Sequence, residues 1–170
     1  MKQPKKRFLS KYDGQKYGWF LLAKEFVLAL LGLTILFNVL IGVSRVTGES
    51  MKPTLQPGDV VLFTRFNFSY DRGDVVMARM PSGEYYVKRI VGLEGDTIDL
   101  IEGQLYVNDQ PEPDLGAVGP TQPEDGIVTY PYTVEPGKYF LVGDNRPHSE
   151  DSRSFGALPE TSIRGKLLFY

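Results

Sequence analysis

The chain contains no cysteine and one histidine in 170 residues. The first absence excludes thiol nucleophiles, thiolate metal sites and disulfides. With His148 as the lone imidazole, zinc would need an all-carboxylate site that it seldom uses. No P-loop or glycine-rich dinucleotide fingerprint is present, which argues against ATP-driven and redox chemistry, and no metal or organic cofactor is expected. Net charge is scarce too, at −2, and it divides unevenly. Residues 1–25 carry seven Lys and Arg against two acids, while residues 26–170 carry twelve against nineteen. The acidic body argues against a nucleic-acid partner, which would ask for a basic stripe on the folded part.

Long apolar runs are also few. Only residues 26–43, FVLALLGLTILFNVLIGV, could cross a bilayer: 18 uncharged residues make roughly 27 Å of helix, close to a hydrocarbon core. Lys2, Lys5, Lys6, Arg7, Lys11 and Lys16 in front of the run place the N-terminus on the cytoplasmic side, with Tyr17, Trp19 and Phe20 suited to the interfacial belt. A buried core helix would be shorter and amphipathic, and a removable signal peptide would have an apolar stretch of about 7 to 15 residues, so the expectation is an uncleaved anchor. The chain divides into a basic cytoplasmic segment (1–25), a transmembrane helix (26–43) and one extracytoplasmic domain (44–170).

Beyond residue 43 the texture changes to short apolar runs at 60–63, 75–78, 85–91, 97–101, 105–107, 139–142 and 167–170, punctuated by Pro57-Gly58-Asp59, Arg72-Gly73-Asp74, Glu94-Gly95-Asp96 and similar turns. Seven such strands predict a mainly β domain, barrel or sandwich. Residues 111–126, rich in proline and glycine, read as an irregular excursion.

Three places could carry chemistry. Ser50 stands a few residues past the apolar run, in a segment that Pro53 stiffens by disfavouring a helical Lys52. A serine nucleophile needs a group to take its proton, and with one histidine and no cysteine a lysine is the best candidate base. Lys88 sits on an apolar strand, where period-two alternation gives it the face of Tyr86 and Ile90 and turns Arg89 to the other side. An ordinary lysine is neutral at pH 7 in only about one molecule in 2,500, a cost of about 4.6 kcal/mol. Burial can lower a lysine by up to ~3 to 5 units, removing most of that cost. The third place is the polar loop Gly143-Asp144-Asn145-Arg146-Pro147-His148-Ser149-Glu150-Asp151-Ser152-Arg153, which leaves an apolar strand and is too dense in functional groups for a plain spacer.

Ser50-Met51-Lys52-Pro53-Thr54-Leu55, Arg72-Gly73-Asp74-Val75-Val76, the run from Tyr86 through Lys88 to Asp96, and the loop from Gly143 to Arg153 with Phe155-Gly156 occur in order behind the anchor. In these blocks the chain resembles the bacterial type I signal peptidases, membrane-bound leader peptidases with a serine/lysine dyad, in their compact Gram-positive-like form. The resemblance implies a signal-peptidase-like β-domain in which Ser50 is the nucleophile, Lys88 the general base and Ser149 the hydroxyl that orients the lysine. It implies Asp144, Arg146, Asp151 and Arg153 as supports of the loop, and Met51, Leu55 and Val87 as walls of the substrate pocket. The implied reaction is removal of N-terminal signal peptides from exported preproteins after small residues at −1 and −3, through an acyl-enzyme. The implied partners are those signal peptides, the lipid bilayer and, by proximity, the secretion translocon.

Gly48 departs from relatives that carry a hydroxyl two residues before the nucleophile, leaving the second oxyanion donor open beyond the Ser50 N–H. A Ser50/His148/Asp151 triad would require one imidazole to face both partners, although His148 and Asp151 lie three residues apart in one loop. Residues 65–70 alternate aromatic and polar, so a strand would line Phe66, Phe68 and Tyr70 on one face, against either lipid or core. The rivals are a self-cleaving repressor-type peptidase, which would need a DNA-binding segment where the anchor stands, and a tethered β-domain that binds extracytoplasmic peptides without cutting them. The missing cysteine excludes a sortase-like transpeptidase.

Overall fold

The computed structural model describes residues 11–66, 69–113 and 115–170. Lys2, Lys5, Lys6, Arg7 and Phe68 fall outside them. The chain forms two units, residues 1–39 and 40–170.

The described residues of the first unit lie in one helix, α1 (Lys11–Leu40). From Gly18 to Leu40 it runs 23 residues with an apolar surface on every side, and that surface is not buried against protein. At 1.5 Å per residue this is about 34 Å, the length and all-round apolarity that a bilayer satisfies and water does not. The apolar run of residues 26–43 does not stay helical to its end. The Leu40 carbonyl accepts the Arg65 N–H at 2.8 Å, and the three residues Ile41, Gly42 and Val43 pass into a strand.

The second unit is mainly β. Its strands are β1 (Ile41–Arg45), β2 (Val60–Thr64), β3 (Val75–Arg79), β4 (Tyr85–Gly92), β5 (Thr97–Ile101), β6 (Gln104–Val107), β7 (Gln110–Pro111), β8 (Tyr132–Thr133), β9 (Lys138–Val142), β10 (Leu158–Pro159) and β11 (Ile163–Lys166). They form an antiparallel pair β1-β2, a five-stranded sheet in the order β10-β9-β4-β3-β11, and a four-stranded sheet in the order β7-β6-β5-β8. Two-residue turns with positive φ at both positions, Glu102-Gly103 and Asn108-Asp109, close the β5-β6 and β6-β7 hairpins, matching their turn to the strand twist.

The five-stranded sheet is covered on both faces, which is why its strands β3 and β9 read as nearly continuous apolar runs. On β3, Val75 and Met77 enter a cluster with Val46, Met51, Leu55, Val61, Phe63 and Leu167, while Val76 and Ala78 enter another with Ile90, Leu141 and Leu158. A third cluster joins Val91, Phe140 and Val142 to Ile98, Leu105 and Val107 of the four-stranded sheet. β4 is therefore the central strand, held by β3 on one side and by β9 on the other.

Six of the seven expected apolar runs are strands. At the seventh, the strand is Ile163–Lys166, just before residues 167–170; Leu167 makes only an isolated bridge to Phe63 and drops into the core. Ile-Arg-Gly-Lys carries almost no apolar signal, and its glycine is there for clearance: a Cβ on Gly165 would stand 1.6 Å from the Thr64 carbonyl oxygen. Among the described residues of 65–70 there is no strand. Phe66 is exposed, whereas Tyr70 packs edge-on against Tyr139, with ring centroids 5.5 Å apart.

Candidate active site

Ser50 opens a turn between β1 and β2. Lys52 N–H donates to the Glu49 carbonyl at 3.1 Å and Leu55 N–H to the Met51 carbonyl at 2.9 Å, so the backbone folds back at once. Met51, 1% exposed, and Leu55 root this turn in the core cluster beneath it. From the opposite side Asn145 N–H donates to the Ser50 carbonyl at 2.9 Å, and the Asn145 side-chain amide to the Glu49 carbonyl at 3.2 Å. A Cβ on Gly143 would lie 2.1 Å from Ser149 Oγ and 2.6 Å from the Ser50 carbonyl oxygen. The missing side chain at 143 lets the Ser50 turn and the Ser149 hydroxyl converge on one point.

Lys88 comes to that point from the middle of β4. It is 1% exposed, and its Nζ donates to Ser149 Oγ at 2.7 Å. The Tyr86 ring, two residues away on the same face, lies 5.5 Å from the amine. Burial pushes the Lys88 pKa down to about 8; Asp151, Glu124 and Glu150 pull the other way, and Arg153 adds to the lowering. Ser149 Oγ in turn donates a hydrogen bond to Asp151 Oδ2 at 2.6 Å. Asp151 is fully engaged: it also accepts from Gly143 N–H at 2.9 Å and from Arg153 Nε and Nη2, each at 2.9 Å, and it caps the short helix α2 (Ser152–Phe155). His148 Nδ1 instead faces Asn145 Oδ1 at 3.2 Å on the surface, so the carboxylate a triad would need is spent elsewhere.

Three buried arginines stiffen the loop. Arg89 holds Asp144 in a two-pronged pair at 2.8 and 2.7 Å and also donates to the Gly73 carbonyl at 2.8 Å. Arg146 pairs with Glu112 at 2.7 Å and donates to Thr121 Oγ1 at 2.7 Å. Arg153 spans Asp151 and Glu124, the latter at 2.6 Å, and donates to the carbonyls of Arg146 and Ser149. Asp151 and Arg153 thus hold each other and the loop backbone, while Asp144 is held by Arg89 and Arg146 by Glu112 and Thr121. Arg89, Thr54 (whose hydroxyl donates to Asp144), Thr121, Glu112 and Glu124 complete the scaffold and escaped sequence reasoning. Glu112 and Glu124 had no local signal, because they lie in the irregular excursion and gain meaning only from arginines some thirty residues on. The excursion also pairs directly with the loop, Val118 N–H donating to the Asp144 carbonyl at 2.8 Å and Arg146 N–H to the Val118 carbonyl at 3.1 Å.

Ser50 and Lys88 line one open cleft of about 410 Å³, bordered by residues 44–49, Met77, residues 84–87, His148 and Glu150. Residues 19–170 match the family described as signal peptidase, peptidase S26. The chain belongs to this signal peptidase family. Signal peptidase I of Bacillus amyloliquefaciens is 35% identical over 160 residues, covering 87% of this chain and 86% of its own. Signal peptidase I V of Bacillus subtilis (strain 168) is 37% identical over 136 residues, covering 72% and 81%. Signal peptidase IB of Staphylococcus aureus is 32% identical over 170 residues, covering 86% and 89%. A crystal structure of a signal peptidase I from Enterococcus faecalis V583 aligns over 58% of this chain and 97% of its own at 32% identity, with a TM-score of 0.49.

For this member of the signal peptidase family, the cleft wall is made by Val87, Met77 and Tyr86, while Met51 and Leu55 belong to the core under the Ser50 turn. Gly48 is exposed with open space where a side chain would stand, so any oxyanion contact from that position comes from its backbone.

Gly143→Ala drives its methyl group into both Ser149 and the Ser50 carbonyl. It is expected to lower kcat/KM at least about 100-fold while the circular dichroism spectrum is kept. Activity within threefold of wild type would show that the convergence is not needed. Burial of the Lys88 amine also sets a stability signature. The folded pKa is near 8 and the ordinary value 10.5, so between these pH values the unfolded chain binds more protons, and stability rises with pH across that window. Below pH 8 the penalty is fully present, at roughly 3 kcal/mol. Lys88→Met is expected to raise the urea midpoint at pH 7 and to abolish this rise between pH 8 and 10; a midpoint that falls would contradict the burial cost.

Proposed function

We propose that the chain is a membrane-anchored serine endopeptidase that removes N-terminal signal peptides from exported preproteins, with Ser50 as nucleophile and Lys88 as general base. The observation that carries this reading is a lysine amine, buried and pushed down to about 8, hydrogen-bonded to Ser149 in the cleft that Ser50 lines. At that pKa roughly one amine in ten is neutral at pH 7, against about one in 2,500 for an ordinary lysine. Ser149 accepts one amine N–H while its own proton is held by Asp151, which fixes the amine's rotation and leaves the lone pair for the Ser50 hydroxyl.

As Ser50 Oγ attacks the scissile carbonyl, its proton passes to Lys88. The ammonium then protonates the departing amine of the mature protein, leaving the acyl-enzyme on Ser50 and a neutral lysine. The same amine activates the water that releases the signal peptide. The Ser50 N–H supports the oxyanion, and no side chain at position 48 can add to it.

Substrate binding follows from a free sheet edge. β9 pairs with β4 only from Arg89 onward, so the half from Tyr85 to Lys88 offers its β9-side edge to the cleft. An extended segment added there presents alternate residues to the same wall, which accounts for a joint demand for small side chains at −1 and −3. The basic N-terminal segment lies in the cytoplasm and the β unit outside the membrane, beside the translocon from which preproteins emerge.

Purified full-length protein in detergent, given a preprotein and followed by product mass, is expected to cleave once and to lose activity by more than about 1,000-fold in both Ser50→Ala and Lys88→Met. The kcat/KM profile of the wild type should rise with pH through about 8, because the base must lose its proton. Cleavage that survives Lys88→Met, or a rise centred near 10.5, would end the lysine-base reading.

A further inference from the structure

We propose that Glu124 is a positioning residue that sets the charge state of the catalytic base from outside the active site, as the end member of the relay Lys88–Ser149–Asp151–Arg153–Glu124. The inference rests on the Ser50/Lys88 reading and adds a group from the irregular excursion to its machinery. The links are short: 2.7 Å from Lys88 Nζ to Ser149 Oγ, 2.6 Å from Ser149 Oγ to Asp151, 2.9 Å from Arg153 Nε to Asp151, and 2.6 Å from Arg153 Nη2 to Glu124. Ser154 Oγ donates to the other Glu124 oxygen at 3.1 Å and aims the carboxylate at the guanidinium. Every other member of the relay is buried; Glu124 alone is partly open to water.

The chemistry follows from counting charge. Asp151 and Arg153 alone cancel, and the guanidinium, aimed back through the Asp151 carboxylate, would weaken the negative field that the amine feels. Glu124 takes up the far side of Arg153, so the relay behind Ser149 carries a net negative charge. That charge stabilises the ammonium formed when Ser50 gives up its proton, and keeps the resting amine from deprotonating too far below neutrality. Burial works in the opposite sense, and the working pKa is the balance between the two. The remaining charged groups around the amine are Glu150 in the loop and Arg45, Glu49, Glu84 and His148 on the cleft rim, while β3 places the apolar Val76 opposite Lys88. The rim groups are exposed and screened by salt, whereas the relay is not.

The test is the pH dependence of kcat/KM for full-length Glu124→Gln and Glu124→Asp in detergent, with a signal-sequence peptide as substrate. Gln keeps the shape and removes the charge; the acidic limb is expected to move down by about 0.3 to 0.7 pH unit, and Asp to return it most of the way. A merely structural tie would lower kcat/KM at every pH and leave the limb in place, and that result would overturn the proposal. Should Glu124→Gln fail to fold, Glu124→Ala decides between the same two outcomes. Lys88→Met separates the two layers of argument. If it keeps activity, the base itself is misassigned; if it is inactive and the limb of Glu124→Gln has not moved, only the role of Glu124 fails.

Discussion

A lysine amine almost stripped of water, with one hydroxyl to donate to, is the constraint around which the β unit is arranged. Burial makes Lys88 a base near neutral pH, and the same burial costs stability whenever the amine is protonated. An isolated amine under such pressure would turn toward solvent, as lysine side chains do. It is held by its place in the middle of β4, paired with Val76 of β3 just where the pairing with β9 begins, and by the Ser149–Asp151 pair waiting at its tip. The arginines are part of that holding. Arg89 and Arg153 fix carboxylates and carbonyls of the loop from Gly143 to Arg153, and Arg146 ties the loop to Glu112 and Thr121, so the loop is stiff although it has almost no apolar side chains. Buried ion pairs are weak contributors to net stability because of desolvation; their use here is positional, keeping Ser149 and Asn145 where the amine and the Ser50 turn need them.

Placement of Ser50, the proposed nucleophile, answers a second demand. A serine on a loop is useful only if its backbone is fixed, and the Ser50 turn is clamped from below by Met51 and Leu55 and from above by Asn145 and Thr54–Asp144. Residues that look like substrate contacts in the sequence therefore serve as roots. The wall of the cleft falls to the strand opposite, where Val87 stands beside the free edge of β4. The family assignment makes the chain a signal peptidase, and its N-terminal helix is long and apolar enough for membrane attachment.

Much of this is legible in the sequence alone. Period-two alternation places Lys88 with Tyr86, and the apolar runs mark six strands, β3 and β9 most plainly because their sheet is covered on both faces. What stayed hidden had physical reasons. β1 was concealed inside the apolar run of the helix, since Ile41 and Val43 satisfy either state until Arg65 and β2 arrive to pair with them. β11 was concealed by Gly165, which is chosen for clearance over Thr64 and carries no apolar signal. The aromatic alternation at 65–70 suggested a strand that the described residues do not form, with Tyr70 drawn to Tyr139 instead. Glu112 and Glu124 were invisible because a carboxylate in an irregular segment announces nothing until the fold sets an arginine against it.

The most direct test of the account is the ionisation of the Lys88 amine itself, followed by NMR of protein labelled at lysine and assigned by comparison with Lys88→Met. One lysine signal is expected to titrate with a midpoint near 8, well separated from the others. If the signal lost in Lys88→Met titrates together with the remaining lysines near 10.5, the amine is not held dry and the account is wrong.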